Sequence, residues 1–191
     1  MNKLTDGLQI QGWMGELELG WLHAMVQDAP DDALVVELGA WKGRSTGFLY
    51  DAMHHQQSVC TVDTWLGQAD LRHTSHSEVL HTDVFLEFLD NMECLGEEPV
   101  WYEPGIPGGG ASYLRMFSVD AATLFEDGSL YAVFVDSDHR AVGEDADTWR
   151  PKITPGGILC GHDWNWTGVK EQLEQRFNIK EVVGDLWVAD I

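Results

Sequence analysis

At 191 residues the chain is long enough for one domain with a full core and too short for two comfortable ones. It holds 32 Asp and Glu against 11 Lys and Arg, a formal charge of −21. Phosphate binding needs clustered basic groups, so nucleic acid and anionic membrane surfaces are not expected partners, and solubility is the simplest account of the charge.

No run approaches the ~20 apolar residues of a membrane span, and MNKLTDGLQIQG lacks the apolar core of a signal peptide. The three cysteines, Cys60, Cys94 and Cys160, are scattered, and Cys60 and Cys160 fall in predicted buried strands. They read as reduced thiols, and the expectation is a soluble cytoplasmic protein.

Taken in order, residues 1–30 read as a leader with one helix. Leu17, Leu19, Trp21, Leu22, Met25 and Val26 fall at helical spacing and Pro30 lies past the end, which predicts a helix covering one edge of a sheet. Residues 31–191 form the core. Leu34, Val35 and Val36 make a short apolar run of the kind buried on both faces of a sheet, and Glu37 ends it. Gly39 and Gly43 follow, and Ser45 opens a helical segment through Met53. Strand, glycine turn and helix start together let a ligand approach the backbone, and the carboxylate favours a cation or hydroxyls over a phosphate.

Ser58 to Val62 is the next strand, ended by Asp63, at the distance from the first where a ribose-binding acid is expected. The pair Glu37 and Asp63 points to a nucleoside ligand. The polar stretch after Asp63 contains His73 and His76, with His81 beyond it and His54 and His55 nearby. These histidines lack paired helical spacing with an acidic ligand, so the stretch reads as a lid rather than a metal site.

Residues 79–92 have helical periodicity with Thr82 or Asp83 as cap. Residues 96–112, rich in Pro and Gly, read as a loop or insertion. Tyr113 to Phe117 is a candidate third strand, and Ser118 a cap for a short helix ending at Asp127-Gly128. Leu130 to Val135 is a second continuous apolar run, followed by Asp136, Ser137, Asp138 and His139 and a helix through Trp149. Pro155-Gly156-Gly157 reads as a turn, Ile158 to Cys160 as a buried strand, and Gly161, His162, Asp163 and Trp164 as its end. A helix over 167–177 and two strands joined by Gly184-Asp185, an antiparallel hairpin, close the chain. Strands alternating with helices predict a mostly parallel sheet with helices on both faces.

In such sheets the ligand lies beyond the carboxyl ends of the strands. There Glu37, Asp63, Asp136, Asp138, His139, His162 and Asp163 would form one acidic crevice. Two chemistries fit it. Asp136, His162 and Asp163 supply ligands for a divalent cation, with the imidazole tilting the choice from Mg²⁺ toward Mn²⁺, Fe²⁺ or Zn²⁺. Alternatively His139 or His162 serves as general base, its pKa raised by the carboxylates around it.

Six ordered stretches resemble a known family. They are VELGAWKGRST at 36–46, VDTWLG at 62–67, RMFSVDAATLF at 115–125 with DGSL at 127–130, DSDH at 136–139, WRPKITPGG at 149–157 and GHDW at 161–164. The chain is similar to the class I S-adenosylmethionine-dependent methyltransferases, in a small branch related to metal-dependent sugar O-methyltransferases. The resemblance implies a Rossmann-like three-layer sandwich, with a seven-stranded sheet ending in an antiparallel hairpin. It implies that Glu37, Gly39, Gly43 and Ser45 hold the methionine part of the cofactor. Asp63 would take the ribose hydroxyls, Trp65 would flank the adenosine and Ser118 would contact the adenine.

It also implies Mg²⁺ or Mn²⁺ at Asp136, His162 and Asp163, with His139 as base and Asp136 essential to catalysis. His162 replaces the carboxylate that the metal pattern carries. The expected activity is O-methylation of a small-molecule or saccharide hydroxyl. Segment 101–111 reads as an insertion that shapes a substrate pocket or a contact between copies in a homo-oligomer.

Three rival readings remain at this level: a non-catalytic cofactor-binding protein, a metal-dependent hydrolase or hydroxylase, and a nicotinamide-dependent oxidoreductase. The last lacks its G-x-G-x-x-G turn.

Overall fold

The computed structural model describes residues 7–54, 56–67, 77–104 and 110–191. His55, His73 and His76, most of the expected lid and part of the expected insertion lie outside the described residues.

The first described helix is α1 (Glu16–Gln27), which buries Leu19, Leu22, Met25 and Val26. Strand β1 (Leu34–Leu38) is followed by α2 (Arg44–Ala52), β2 (Ser58–Asp63), a 3₁₀ turn (Ser77–Leu80) and α3 (Val84–Cys94). Then come β3 (Val100–Trp101), β4 (Gly110–Arg115), α4 (Ser118–Ala121), β5 (Leu130–Val135) and α5 (Val142–Trp149). Strand β6 (Ile153–Gly161), α6 (Thr167–Glu174), β7 (Asn178–Val183) and β8 (Leu186–Asp190) complete the fold.

The eight strands form one sheet in the order β3-β4-β2-β1-β5-β6-β8-β7. All neighbours pair in parallel except those of β8, which runs antiparallel to β6 and β7. Alternation along the central strands sorts side chains into two cores. Val35, Ala132 and Phe134 pack with α1, α2 and α3 on one face, whereas Val36, Leu38, Val133 and Val135 pack with α4, α5 and α6 on the other. Helices on both faces of a mostly parallel sheet make the Rossmann-like three-layer sandwich. The strand order reverses between β1 and β5, which places a crevice above their carboxyl ends.

The structure departs from the sequence expectation in five places. The sheet has eight strands rather than seven, because Val100 and Trp101, inside the expected insertion, pair with Ser112 and Tyr113 at the edge. The strand sought at 113–117 runs over Gly110–Arg115, its register set by pairing with β2. Pro155-Gly156-Gly157 lies within β6, where the pairing with β5 slips between Leu130 and Ala132. Ser118 is the first residue of α4 rather than its cap, and its hydroxyl accepts from Trp149 Nε1 at 2.8 Å. Helix α1 lies beside α2 over one face instead of along an edge, bringing Met25 Sδ to 3.9 Å from Cys160 in β6. Asp83 does cap α3, accepting from Leu86 N. Among the described residues no helix is long and apolar enough to cross a membrane.

Candidate active site

The turn after β1 is built around a close backbone approach. Gly39 has φ of +91°, and a Cβ there would fall 2.1 Å from the carbonyl oxygen of Asp136. Only glycine permits β1 and β5 to converge in this way. Gly39→Ala is therefore expected to cost more than ~3 kcal/mol, combining a clash with a left-handed φ. Chemical denaturation checks this, and a midpoint within error of the parent protein would refute it.

Two carboxylates hold the turn. Asp63 Oδ2 accepts from the backbone N–H groups of Ala40 at 2.8 Å and Trp41 at 3.0 Å, and Oδ1 accepts from Trp65 N at 2.7 Å. Each oxygen has two lone pairs, so Oδ1 keeps acceptor capacity for a ligand hydroxyl. Glu37 lies fully buried beneath the turn. Its Oε1 accepts from Ser45 Oγ at 2.6 Å, and its Oε2 from Thr46 Oγ1 at 2.6 Å and Thr61 Oγ1 at 2.8 Å. Burial pushes the Glu37 carboxyl up to about 7 against these three hydroxyl bonds, which pull it down.

Lys42 fixes the far side of the turn. Its Nζ lies 2.6 Å from Glu78 and 2.8 Å from Glu87, tying the turn to the 3₁₀ segment and α3. Burial opposes its charge, but these two partners outweigh that effect and raise its pKa.

Above the strand ends lies a cavity of about 1030 Å³. Of the residues expected at a cofactor, Gly39, Ser45, Asp63 and Ser118 line it, whereas Glu37, Gly43 and Trp65 do not. Glu37 spends its lone pairs on the protein's own hydroxyls. Gly43 is crowded by Met92 and Phe88. Trp65 is buried between Phe85 and Phe88, with ring centroids at 4.8 and 4.9 Å, and its indole N–H donates to Trp41 O.

Leu66, Met116, Phe117 and Val119 form an apolar wall at the Asp63 end. Leu66, Phe117 and Val119 are each more than half exposed and share one wall of the cavity, the contiguous kind of apolar patch that marks a binding surface. The sequence reading passed over them, although three apolar residues around Ser118, on both sides of the strand alternation, were a signal.

The other end of the cavity is acidic. Asp136, Asp138 and His139 follow β5, and His162, Asp163 and Trp166 follow β6. Glu18 of α1 and Asp185 of the β7–β8 turn join them, and only folding brings these two in. Glu18 Oε1 accepts from Asp185 N at 2.7 Å and its Oε2 from Gly15 N at 2.6 Å, so one carboxylate clasps the leader to the hairpin. His139 Nε2 lies 2.5 Å from Asp163 Oδ2, and the Trp166 ring lies against the imidazole at 4.4 Å. His162 is buried, with Nδ1 3.4 Å from Asp163 and 3.8 Å from Asp136, and Nε2 3.8 Å from Glu18.

The electrostatics follow from this packing. The hydrogen bond to Asp163 raises the His139 pKa against burial. For His162 burial works against the charge, but the Asp163 bond and the charges of Asp136, Asp163 and Glu18 prevail and lift it to about 9. Asp163, buried yet bonded by both imidazoles, is held well below the usual carboxylate range. Burial pushes Asp136 upward, partly offset by His162. Asp163 has φ of +62°, and the other non-glycine residues with positive φ among the described residues, Trp41 and Trp65, also sit in turns at strand ends. Strain gathered at such turns marks a functional site.

A methionyl nucleoside fits this cavity. The apolar wall suits a purine, Asp63 has acceptor capacity for ribose, and the acidic end suits a cation. For a divalent cation the expected trio was Asp136, His162 and Asp163. The ligand atoms that gather within 4.8 Å of one another belong instead to Asp136, His139 and Asp163, and in a second group to His162, Asp163 and Asp185. Mixed imidazole and carboxylate donors of this kind suit Mn²⁺, Fe²⁺ or Zn²⁺ better than Mg²⁺.

A family profile described as a methyltransferase domain matches residues 36–164. Solved structures of similar fold include a Corynebacterium glutamicum protein, with TM-score 0.70 and 10% identity over 99% of this chain and 89% of that one. A Podospora anserina methyltransferase bound to SAH gives 0.68 and 11% over 99% and 87%. An O-methyltransferase from Bacillus cereus in complex with SAH gives 0.64 and 13% over 100% and 91%. No curated protein matches the chain. The chain belongs to the methyltransferase-domain family, and its fold is the one these solved methyltransferases share.

Proposed function

We propose that the protein methylates a hydroxyl of a small-molecule or saccharide acceptor, with His139 taking the hydroxyl proton. The observation that carries this reading is the His139–Asp163 contact of 2.5 Å at the cavity wall. With Nε2–H donating to Asp163, the neutral imidazole keeps its lone pair on Nδ1, the atom that accepts the proton. Asp163 fixes the tautomer and stabilises the imidazolium that forms. The Trp166 ring limits rotation of the imidazole, and Asp63 with the apolar wall orients the nucleoside. S-adenosylmethionine supplies an electrophilic methyl group on a positively charged sulfur. With the cofactor bound, the acceptor oxygen would take the methyl carbon as its bond to sulfur breaks, which leaves alignment and proton removal to the protein's own residues.

Calorimetric titration with SAH tests the cofactor half. Asp63→Ala is expected to weaken binding by about 10- to 100-fold, the loss typical of a hydrogen bond to a charged group. Unchanged affinity would remove Asp63 from the cofactor site.

A second reading has its own observation, the grouping of Asp136, His139 and Asp163. These residues would hold a divalent cation that lowers the pKa of a bound hydroxyl. Dialysis against a chelator separates the two. Turnover that survives removal of metal supports His139 as base, and loss restored by Mn²⁺ supports the cation.

A further inference from the structure

We propose that the acceptor half of the cavity takes a hydroxylated molecule bearing a protonated amine, of the amino sugar or aminocyclitol class. The inference rests on the O-methyl-transfer reading and concerns what else the acceptor carries.

Charge decides the first part. The cavity is lined by Glu18, Asp63, Asp136, Asp138, Asp145, Asp163 and Asp185, and among its described lining residues Arg44 is the one Lys or Arg. Its Nε and Nη1 donate to backbone carbonyls, at 3.0 Å from Met14 O, 2.7 Å from Leu8 O and 2.8 Å from Ile10 O. Even with both imidazoles protonated and the cofactor's single net positive charge in place, carboxylates outnumber cations. A phosphorylated or carboxylated acceptor would meet net repulsion.

Committed partners decide the second part. Asp63 bonds three backbone N–H groups and keeps its remaining acceptor capacity for the nucleoside, Asp163 is taken by two imidazoles and Asp145 by the Ser137 hydroxyl. Asp138 bonds through Oδ1 to Arg140, and Asp185 through Oδ1 to Asn165 N at 2.5 Å. Among the described residues no hydrogen-bond donor reaches the second oxygen of either, nor the Asp136 carboxylate. Acceptor oxygens in a partly enclosed cavity call for N–H or O–H donors from a ligand.

Aromatic faces decide the third. Trp166 lines the same end beside His139 and is more than half exposed. Indole faces bind the C–H faces of sugar and cyclitol rings and attract ammonium groups. Acid, unused acceptors and indole together fit a polyhydroxylated amine.

The test uses neamine and its fully N-acetylated form, which keeps the hydroxyls and loses the charge. SAH is titrated first, and absence of binding at that step is a failure of the cofactor reading, not of this one. With SAH saturating, neamine is expected to bind at least about tenfold more tightly than the acetylated form. The double variant Asp138→Asn, Asp185→Asn should lose most of that preference while still binding SAH. The charge-matched pair Asp90→Asn, Glu93→Gln, exposed on α3 away from the cavity, should keep it.

Three results overturn the proposal: no neamine binding, equal affinity for the acetylated form, or equal loss of preference in both double variants. The last would mean that neamine follows net charge alone. If neamine is methylated, a methyl group found on nitrogen would overturn the O-transfer reading and leave the cation pocket standing.

Discussion

Asp163→Ala is expected to lower kcat by about 10²- to 10⁴-fold, the range for loss of a positioned base, while SAH affinity changes only a few-fold. Asp163 touches both imidazoles and lies at the acceptor end, away from the Asp63 wall where the nucleoside is expected. Its removal frees the His139 ring, takes away the bond that selects the tautomer, and leaves His162 with Asp136 and Glu18 only. The sign of the pH effect is fixed by the same contact. His139 must be neutral to accept a proton, and its folded pKa is raised chiefly by Asp163. In the parent protein, kcat should rise with pH through a value above the ordinary histidine range, and in the variant that limb should move to lower pH. Asp163→Asn, which keeps a hydrogen-bonding group and removes the charge, should show the shift with a smaller loss of rate. Parent-like turnover in the alanine variant would remove the dyad from the mechanism.

Glu37→Ala is expected to destabilise the fold by about 4–6 kcal/mol, a large share of the stability of an ordinary domain. The hydroxyls of Ser45, Thr46 and Thr61 all donate to this carboxylate in a site without solvent. Truncation leaves those buried donors without acceptors and opens a cavity between β1, β2 and α2. Equilibrium denaturation in urea measures the loss, and a midpoint unchanged from the parent would contradict the account. Linkage gives a second, independent reading. The folded pKa of about 7 exceeds the unfolded value of 4.5, so the unfolded chain ionises first as pH rises. The contribution of Glu37 to stability is full below pH 4.5 and is lost as pH climbs toward 7, by about 3 kcal/mol. Glu37→Gln, which does not titrate, should flatten the stability profile across that window.

The sequence made the central machinery legible for a physical reason. A parallel sheet buried on both faces needs continuous apolar strands, so the polar residues that end them stand out against each run. Glu37, Asp63, Asp136 and Asp163 could therefore be read off as strand ends. The closing hairpin was announced by Gly184-Asp185. The two-residue strand Val100–Trp101 was not legible, because its pairing is long-range and its residues carry little pattern of their own. The bulged course of β6 through Pro155 and two glycines looked like a turn, since local propensity says nothing about the partner strand that holds it extended.

The sequence by itself determined the layer architecture, the mostly parallel order of strands, and the acids that follow the strand ends, because these follow from local periodicity. Only the tertiary structure decided how those acids divide. Three hydroxyls, each local or one strand away, turned Glu37 inward and made it a structural carboxylate, while packing of α3 drew Trp65 into the core. Folding also brought Glu18 from the first helix against Asp185 in the last turn, and paired His139 with Asp163 across two strand ends. Such partners lie far apart in the chain, and a residue's chemistry depends on the neighbours that share its dielectric and lone pairs, which spacing along the sequence does not encode.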